Sequence, residues 1–283
     1  MERASRPIAK LNLNIEELTL LRTIIIVFMS QSTITAVAGP PGSGKTTWIR
    51  QQLAAETPPL LYFCPGSGNV PIDQTCIAAE FGQITTLTDG QESELAKHLE
   101  NGVSAYIELG FYLQLTAVEN LLQSFPSRRF AVVPPEIKDT EWHQWADVIV
   151  EGIAVSGEPE KLSIWRSPAS GQVLDPASLD LFWYQEMTQG AYGKVHRAKG
   201  IFDIADGRSF YFDFSAEFKE TAHEELPLPR WLEGRPQRFS GIEIVGENLD
   251  ETALGQTLED CCLSETILLN YQQQVKQALL LAE

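Results

Sequence analysis

Between residues 33 and 152, short apolar runs alternate with stretches whose apolar positions recur at helical spacing. The runs at 33–38, 60–64, 84–87, 103–108, 130–133 and 147–150 read as buried strands. Residues 47–55, 72–81, 93–99, 117–125 and the region around 141–145 read as helices; the fourth of these sets Val118, Leu121, Leu122 and Phe125 on one face. This alternation is the sequence form of a parallel sheet wrapped by helices. Residues 157–178 are rich in Pro, Ser and Gly and read as a connector. Beyond them the pattern changes. Residues 195–204 and 209–214 read as two strands joined at Ala205-Asp206-Gly207, and 238–246 as a third. Asp250 opens a helix reaching about Cys262, and a last helix is expected from Glu265 to Ala282. The expected fold class is α/β, with a mostly parallel sheet flanked by helices, followed by a small α+β domain. The expected division is 1–29 as an N-terminal extension, 30–155 as the first domain, 156–180 as linker, 181–265 as the α+β domain and 266–283 as a C-terminal helix.

One stretch carries recognisable chemistry. Gly39-Pro40-Pro41-Gly42-Ser43-Gly44-Lys45-Thr46 is a complete G-x-x-x-x-G-K-[ST] phosphate-binding loop, set between an expected strand and an expected helix that opens at Thr47. Glycines let successive N–H groups converge on phosphate oxygens, and the helix start adds a positive dipole end. Lys45 is expected to reach the β- and γ-phosphates, and the Thr46 hydroxyl to sit on Mg²⁺. The fold class is therefore narrowed to a P-loop NTPase domain. Glu108 ends the expected strand at 103–108. A carboxylate at that strand end can hold Mg²⁺ through water or orient an attacking water; it can equally be an ordinary exposed acid.

The chain has 283 residues, 43% of them hydrophobic, enough for one large domain or two ordinary ones. Its net charge of −17, from 38 acidic and 21 basic residues, argues against a broad nucleic-acid surface. The four cysteines, Cys64, Cys76, Cys261 and Cys262, form no C-x-x-C pair, and with no cleavable signal pattern they read as free thiols in a reducing cytoplasm. Adjacent Cys261 and Cys262 read as a helix face and its neighbour. The apolar run at 18–28 is too short to span a membrane and contains Arg22, so no membrane partner is expected. Met29 lies just before the first strand and reads as the natural start, leaving residues 1–28 as an extension without a functional role. His143 reads as a helix surface residue, since it lacks partners at metal-ligand spacing.

Several segments together resemble the CobW family of P-loop GTPases, relatives of the nickel-enzyme maturation proteins UreG and HypB. Arg197-Ala198-Lys199-Gly200 and the stretch from Gly241 to Glu251 are similar to that family's C-terminal domain. Gly68-Asn69-Val70-Pro71-Ile72-Asp73 resembles its switch segment, with Pro71 in place of a glycine. Ile107-Glu108-Leu109-Gly110 resembles its Glu-x-x-Gly strand end, one residue short. The resemblance implies GTP with Mg²⁺, with Asp73 and Glu108 serving the Mg²⁺ shell or the attacking water; a protein partner bound by the C-terminal domain is the expectation of the scaffold reading below. Two family motifs are missing. Where the Cys-x-Cys-Cys motif belongs the chain reads Gly90-Gln91-Glu92-Ser93-Glu94, so no zinc site is expected. Where the guanine-reading Asn-Lys-x-Asp belongs it continues Glu151-Gly152-Ile153-Ala154, so the choice between GTP and ATP loses its usual physical basis.

Three readings stay open. The first is a CobW-like protein that hydrolyses GTP or ATP slowly and changes its C-terminal contacts with nucleotide state. The second is a degenerate, non-hydrolysing nucleotide sensor or scaffold. The third is a small-molecule kinase, which needs cationic side chains over the transferring phosphate; Arg128-Arg129 is the only adjacent arginine pair.

Overall fold

A computed structural model describes residues 32–155, 161–217 and 220–282. The extension at 1–28 and its boundary at Met29 lie outside the described residues. The first unit alternates β1 (Ile34–Ala38), α1 (Lys45–Ala55), β2 (Leu60–Phe63), α2 (Ile72–Glu80), β3 (Thr85–Leu87), α3 (Glu92–Glu100), β4 (Ser104–Glu108), α4 (Glu119–Ser124), β5 (Ser127–Val133), α5 (Glu141–Trp145) and β6 (Val148–Glu151). All its strand pairs are parallel, in the order β3-β2-β4-β1-β5-β6. The inner strands β1, β2 and β4 are buried on both faces, which is why they read as near-continuous apolar runs. Ile34, Ala36, Phe63 and Ile107 face Leu95, Leu99 and Leu122 on one side. Val37, Tyr62 and Tyr106 face Ile49, Leu53 and Ile77 on the other. The chain leaves β1, fills the β2-β3 side, returns to β4 and then jumps past β1 to β5. The carboxyl ends of β1 and β4 thus meet at the point where such sheets bind ligands.

The second unit is an antiparallel sheet in the order β10-β9-β8-β11-β7, built from β7 (Ser163–Pro168), β8 (Lys194–Asp203), β9 (Ser209–Ser215), β10 (Glu220–Glu225) and β11 (Gly241–Glu247). Strand alternation gives it two different faces. On one, Trp165, Phe202, Phe212 and Ile244 pack against Phe182 and Trp183, which follow α6 (Pro176–Asp180), and against Leu254 and Leu258 of α7 (Glu251–Asp260). Trp183 meets the Phe212 ring edge-on at 5.3 Å. The last helix, α8 (Glu265–Ala282), has the expected bounds.

Two stretches differ from the expectation. The connector read at 157–178 contains β7, which pairs with β11 along Ser163–Pro168. Its strand signal was outweighed by Pro and Ser, residues that an edge strand tolerates. The edge strand β10 was not anticipated because its sequence, Glu-Thr-Ala-His-Glu-Glu, is charged, as exposed sheet edges commonly are.

The units touch through an apolar cluster in which Val70, Ile72 and Cys76 pack on Ile201 and Leu226. Arg50 of α1 adds a bridge to Glu224 of β10 at 3.2 Å. The polar face of the second sheet therefore looks onto the carboxyl ends of the first. Among the described residues no helix is long and apolar enough to cross a membrane.

Candidate functional site

Residues 39–46 fold as a tight loop between β1 and α1. Gly39, Gly42 and Gly44 adopt φ of 147°, 77° and 96°, values that L side chains rarely take. A Cβ on Gly39 would lie 2.2 Å from the Val132 carbonyl oxygen. Lys45 Nζ folds over the loop and donates to the carbonyls of Gly39 (3.0 Å) and Pro40 (2.8 Å). Thr46 Oγ1 donates to Glu108 Oε1 at 2.9 Å, and the Tyr62 hydroxyl donates to the other Glu108 oxygen at 2.8 Å. The loop after β6 closes the side: Ile153 N–H donates to Ser43 O at 3.1 Å, and a Cβ on Gly152 would fall 2.8 Å from that same oxygen.

The opposite wall is the polar face of the second sheet. Residues Asp213, Lys199, Glu243 and Arg166 stand side by side across β9, β8, β11 and β7, a transverse row of alternating charge. Arg166 Nε donates to Glu243 at 2.7 Å, its Nη1 donates to Gly66 O, and its guanidinium lies over the Tyr112 ring. Lys199 Nζ reaches across to Asp73 in the first turn of α2 at 2.5 Å and lies 3.4 Å from Glu243. Arg197 holds Asp213 in a two-point pair and donates to the Phe214 carbonyl at 2.8 Å. Between the walls is a cavity of ≈ 330 Å³ lined by the loop, Asp73, Glu108, Arg166, Arg197, Lys199 and Glu243.

Burial sets the protonation balance. It pushes the Glu108 carboxyl up, and the Asp73 charge adds to the shift while Lys45 opposes it. It pulls Lys45 down, with Glu108 opposing. For Lys199 burial works downward too, but Asp73, Glu243 and Glu108 together hold the ammonium well above its ordinary value. Glu243 is drawn down despite burial because Lys199 and Arg166 flank it. Cys64 lines the same cavity, and burial with the charges of Glu108 and Asp73 pushes its thiol up, so it is a poor nucleophile and a poor soft-metal ligand.

The residues singled out from sequence are brought together. Pro41, Gly42, Gly44, Lys45, Thr46, Thr47, Asp73 and Glu108 all line the cavity, while Ser43 is buried beneath it with an unpartnered hydroxyl. The donors Thr46, Asp73 and Glu108 are hard oxygens suited to Mg²⁺. Among the described residues no three His, Cys, Asp or Glu side chains are gathered as a metal centre, so a cation here would complete its shell with phosphate oxygens and water. Arg128 and Arg129 lie near the start of β5, away from the cavity, and Arg129 pairs with Glu119 at 2.8 Å. His143 is part of a capping box with Thr140 at the start of α5. The sequence reading missed Tyr62, Arg166, Arg197, Asp213 and Glu243. For Arg197, Asp213 and Glu243 the signal was a charge between the apolar positions Ala198, Phe212, Phe214 and Ile244 of their strands; Tyr62 lay in an apolar run and Arg166 in a stretch read as a connector.

The fold and the site define a two-unit protein: an α/β domain bearing a phosphate loop, closed by an antiparallel sheet. Residues 167–262 match the family described as cobalamin synthesis protein cobW C-terminal domain, and the CobW likeness holds for that part of the chain. No curated protein sequence matches the chain. Among solved structures it is similar to the zinc-bound YjiA GTPase from E. coli, at 12% identity over 81% of this chain and 98% of that one, with a TM-score of 0.31. It is similar also to a zinc-bound triple mutant of YjiA GTPase, with the same identity and coverage and a TM-score of 0.30. At that identity and TM-score the likeness carries no argument.

Proposed function

We propose that this is a CobW-like nucleotide-binding protein that takes a purine nucleoside triphosphate with Mg²⁺, hydrolyses it slowly and changes the contact between its two units as it does so. The observation that carries the reading is the loop at 39–46. Three glycines hold positive φ, a lysine is folded over the loop, and Thr46 sits on a carboxylate at the end of the neighbouring strand. Gly39, Pro40, Pro41, Gly42, Ser43, Gly44, Lys45, Thr46 and Thr47 form the phosphate cradle, where backbone N–H groups at the start of α1 and the Lys45 ammonium bind and orient phosphate oxygens. Thr46, Asp73 and Glu108 would hold Mg²⁺, which when bound offsets the charge of the phosphates. Glu108, which accepts from the Tyr62 hydroxyl, would orient water, and Asp73, bonded to Lys199, would report nucleotide state. By family resemblance the nucleotide is GTP; the loop at 152–155, Gly-Ile-Ala-Val, supplies no guanine-reading side chain, so ATP is retained as the alternative. A protein client would dock on the cobW-type unit.

Isothermal titration of the full chain with GTP and with ATP in Mg²⁺ tests the reading. Lys45→Ala is expected to weaken triphosphate binding at least about 100-fold, the loss of a charge-assisted contact in a partly dry site, with an unchanged far-ultraviolet spectrum. Equal affinity in the variant rejects it. The second reading, a non-hydrolysing sensor or scaffold, is favoured by the engagement of Asp73 with Lys199. Phosphate release that Glu108→Gln abolishes would exclude that alternative.

A further inference from the structure

We propose that Arg197, supplied in cis by the cobW-type sheet, contacts the terminal phosphate of the bound nucleotide and that Asp213 holds it in reserve until then. The inference rests on the nucleotide reading above and names the residue that tells triphosphate from diphosphate.

The position of Arg197 carries it. A Cβ on Gly42 would stand 3.5 Å from Arg197 Cδ and 4.0 Å from its Nε, so the arginine stem lies directly on the loop. The same face of β8 carries Lys199, two residues on, whose ammonium already crosses to Asp73, so this strand reaches the first unit at two successive outward positions. Arg197 lines the cavity together with Lys45, Thr46 and Glu108. A planar guanidinium binds carboxylate and phosphate with the same two-point geometry, so Asp213 occupies the ligand position that a phosphate could take over. Asp213 is itself steadied by the Tyr211 hydroxyl, which donates to it at 3.1 Å, so it keeps a hydrogen-bond partner when Arg197 swings away. Glycine at position 42 leaves that path open, since a side chain there would meet the arginine stem. The exchange moves a guanidinium from one anion to another. It breaks no covalent bond and leaves the net charge of the wall unchanged.

The arrangement makes two variants act in opposite directions. Arg197→Gln is expected to weaken binding of a non-hydrolysable GTP analogue about 10- to 100-fold while leaving GDP affinity within about twofold. Asp213→Asn frees the arginine and is expected to tighten analogue binding, again with little change for GDP. The experiment is a set of fluorescence titrations of the full chain with the analogue and with GDP in Mg²⁺, repeated with the ATP and ADP pair, alongside thermal melting without nucleotide. A purely structural ion pair would lower the melting temperature in both variants and leave the triphosphate-to-diphosphate affinity ratio where it was, which overturns the proposal. Wild-type protein that binds triphosphate while Arg197→Gln keeps the same ratio overturns it as well. Wild-type protein that binds neither nucleotide pair overturns this inference and the nucleotide reading together. A ratio that falls in Arg197→Gln and rises in Asp213→Asn establishes it.

Discussion

The two walls of the cavity are made in different ways. The first is written in one contiguous segment: eight residues from Gly39 to Thr46, whose glycines and lysine need only a strand before them and a helix after. The second is assembled from single residues on four strands, brought into one row by register: Asp213, Lys199, Glu243 and Arg166. A contiguous loop keeps its geometry when its neighbours change, because its backbone conformation is local. A cross-strand row depends on every pairing that sets it, and each of its charges depends on the next. The second wall should therefore be the more fragile partner and the one through which the two units sense each other.

The largest effect expected from this difference is at Lys199. Its ammonium stands between Asp73 and Glu243, at 2.5 and 3.4 Å, and all three side chains are less than a fifth exposed. Lys199→Met removes the cation and leaves Asp73 without its charge partner in a largely dry wall. Breaking a buried pair from one side costs about 3 kcal/mol. Urea unfolding of the variant should show a loss of that order, and adding Asp73→Asn should restore part of it. A loss below about 1 kcal/mol would mean that solvent already screens the row and that the two walls are not coupled through it.

The same contrast explains what was legible in the sequence. The first sheet was read nearly element by element, since its inner strands β1, β2 and β4 are buried on both faces and their apolar runs are unmistakable. Glu108 was found because it ends such a run, and Asp73 through the resemblance of its segment to a switch. Which acid binds which partner was not readable, because the Asp73–Lys199 pair joins positions 126 residues apart. In the second sheet the aromatic face announced strands β8 and β9, but the charges between the aromatics looked like an ordinary solvated face. The packing of Val70, Ile72 and Cys76 onto Ile201 and Leu226 turns that face inward and makes a wall of it. β7 and β10, the two edge strands, carried Pro, Ser and Glu where a buried strand would carry Val or Ile, so pairing alone identifies them.

An intermediate effect is expected from pH, and it separates the walls by sign. Burial and Asp73 raise the Glu108 carboxyl, so it takes up its proton at a higher pH in the folded chain than in the unfolded one. Its contribution to stability is complete below the unfolded value and is lost as pH rises through the folded value. Glu243 behaves oppositely: Lys199 and Arg166 lower it, so its contribution is present above the unfolded value and is lost as pH falls through the folded one. In the role proposed for it, Glu108 holds Mg²⁺ in its ionised form. Affinity for Mg²⁺-nucleotide should therefore fall on acidification, approaching about tenfold per pH unit once Glu108 is mostly protonated, and Glu108→Gln should flatten that dependence. A wild-type profile that stays flat down to the ordinary carboxylate range would place the carboxylate outside the cation's reach.

The smallest effect belongs to the rim, where the units also touch but water is present. Arg50 on α1 donates to Glu80 at 2.5 Å and lies 3.2 Å from Glu224 of β10; Arg50 is about a third exposed and Glu224 about half. This bridge joins the units much as Lys199 does, yet it stands in a high-dielectric setting where such pairs contribute about 1 kcal/mol or less. Arg50→Ala should therefore cost no more than that in urea unfolding, and raising the salt should erase the difference, because rim charges are screened within about 10 Å at 0.1 M. The same salt should leave most of the Lys199→Met defect in place. A salt response shared by both variants would mean that the row behind the rim is as wet as the rim itself. The second wall would then meet the phosphate loop as one solvated surface meets another, and its charges would be too weakly coupled to transmit nucleotide state.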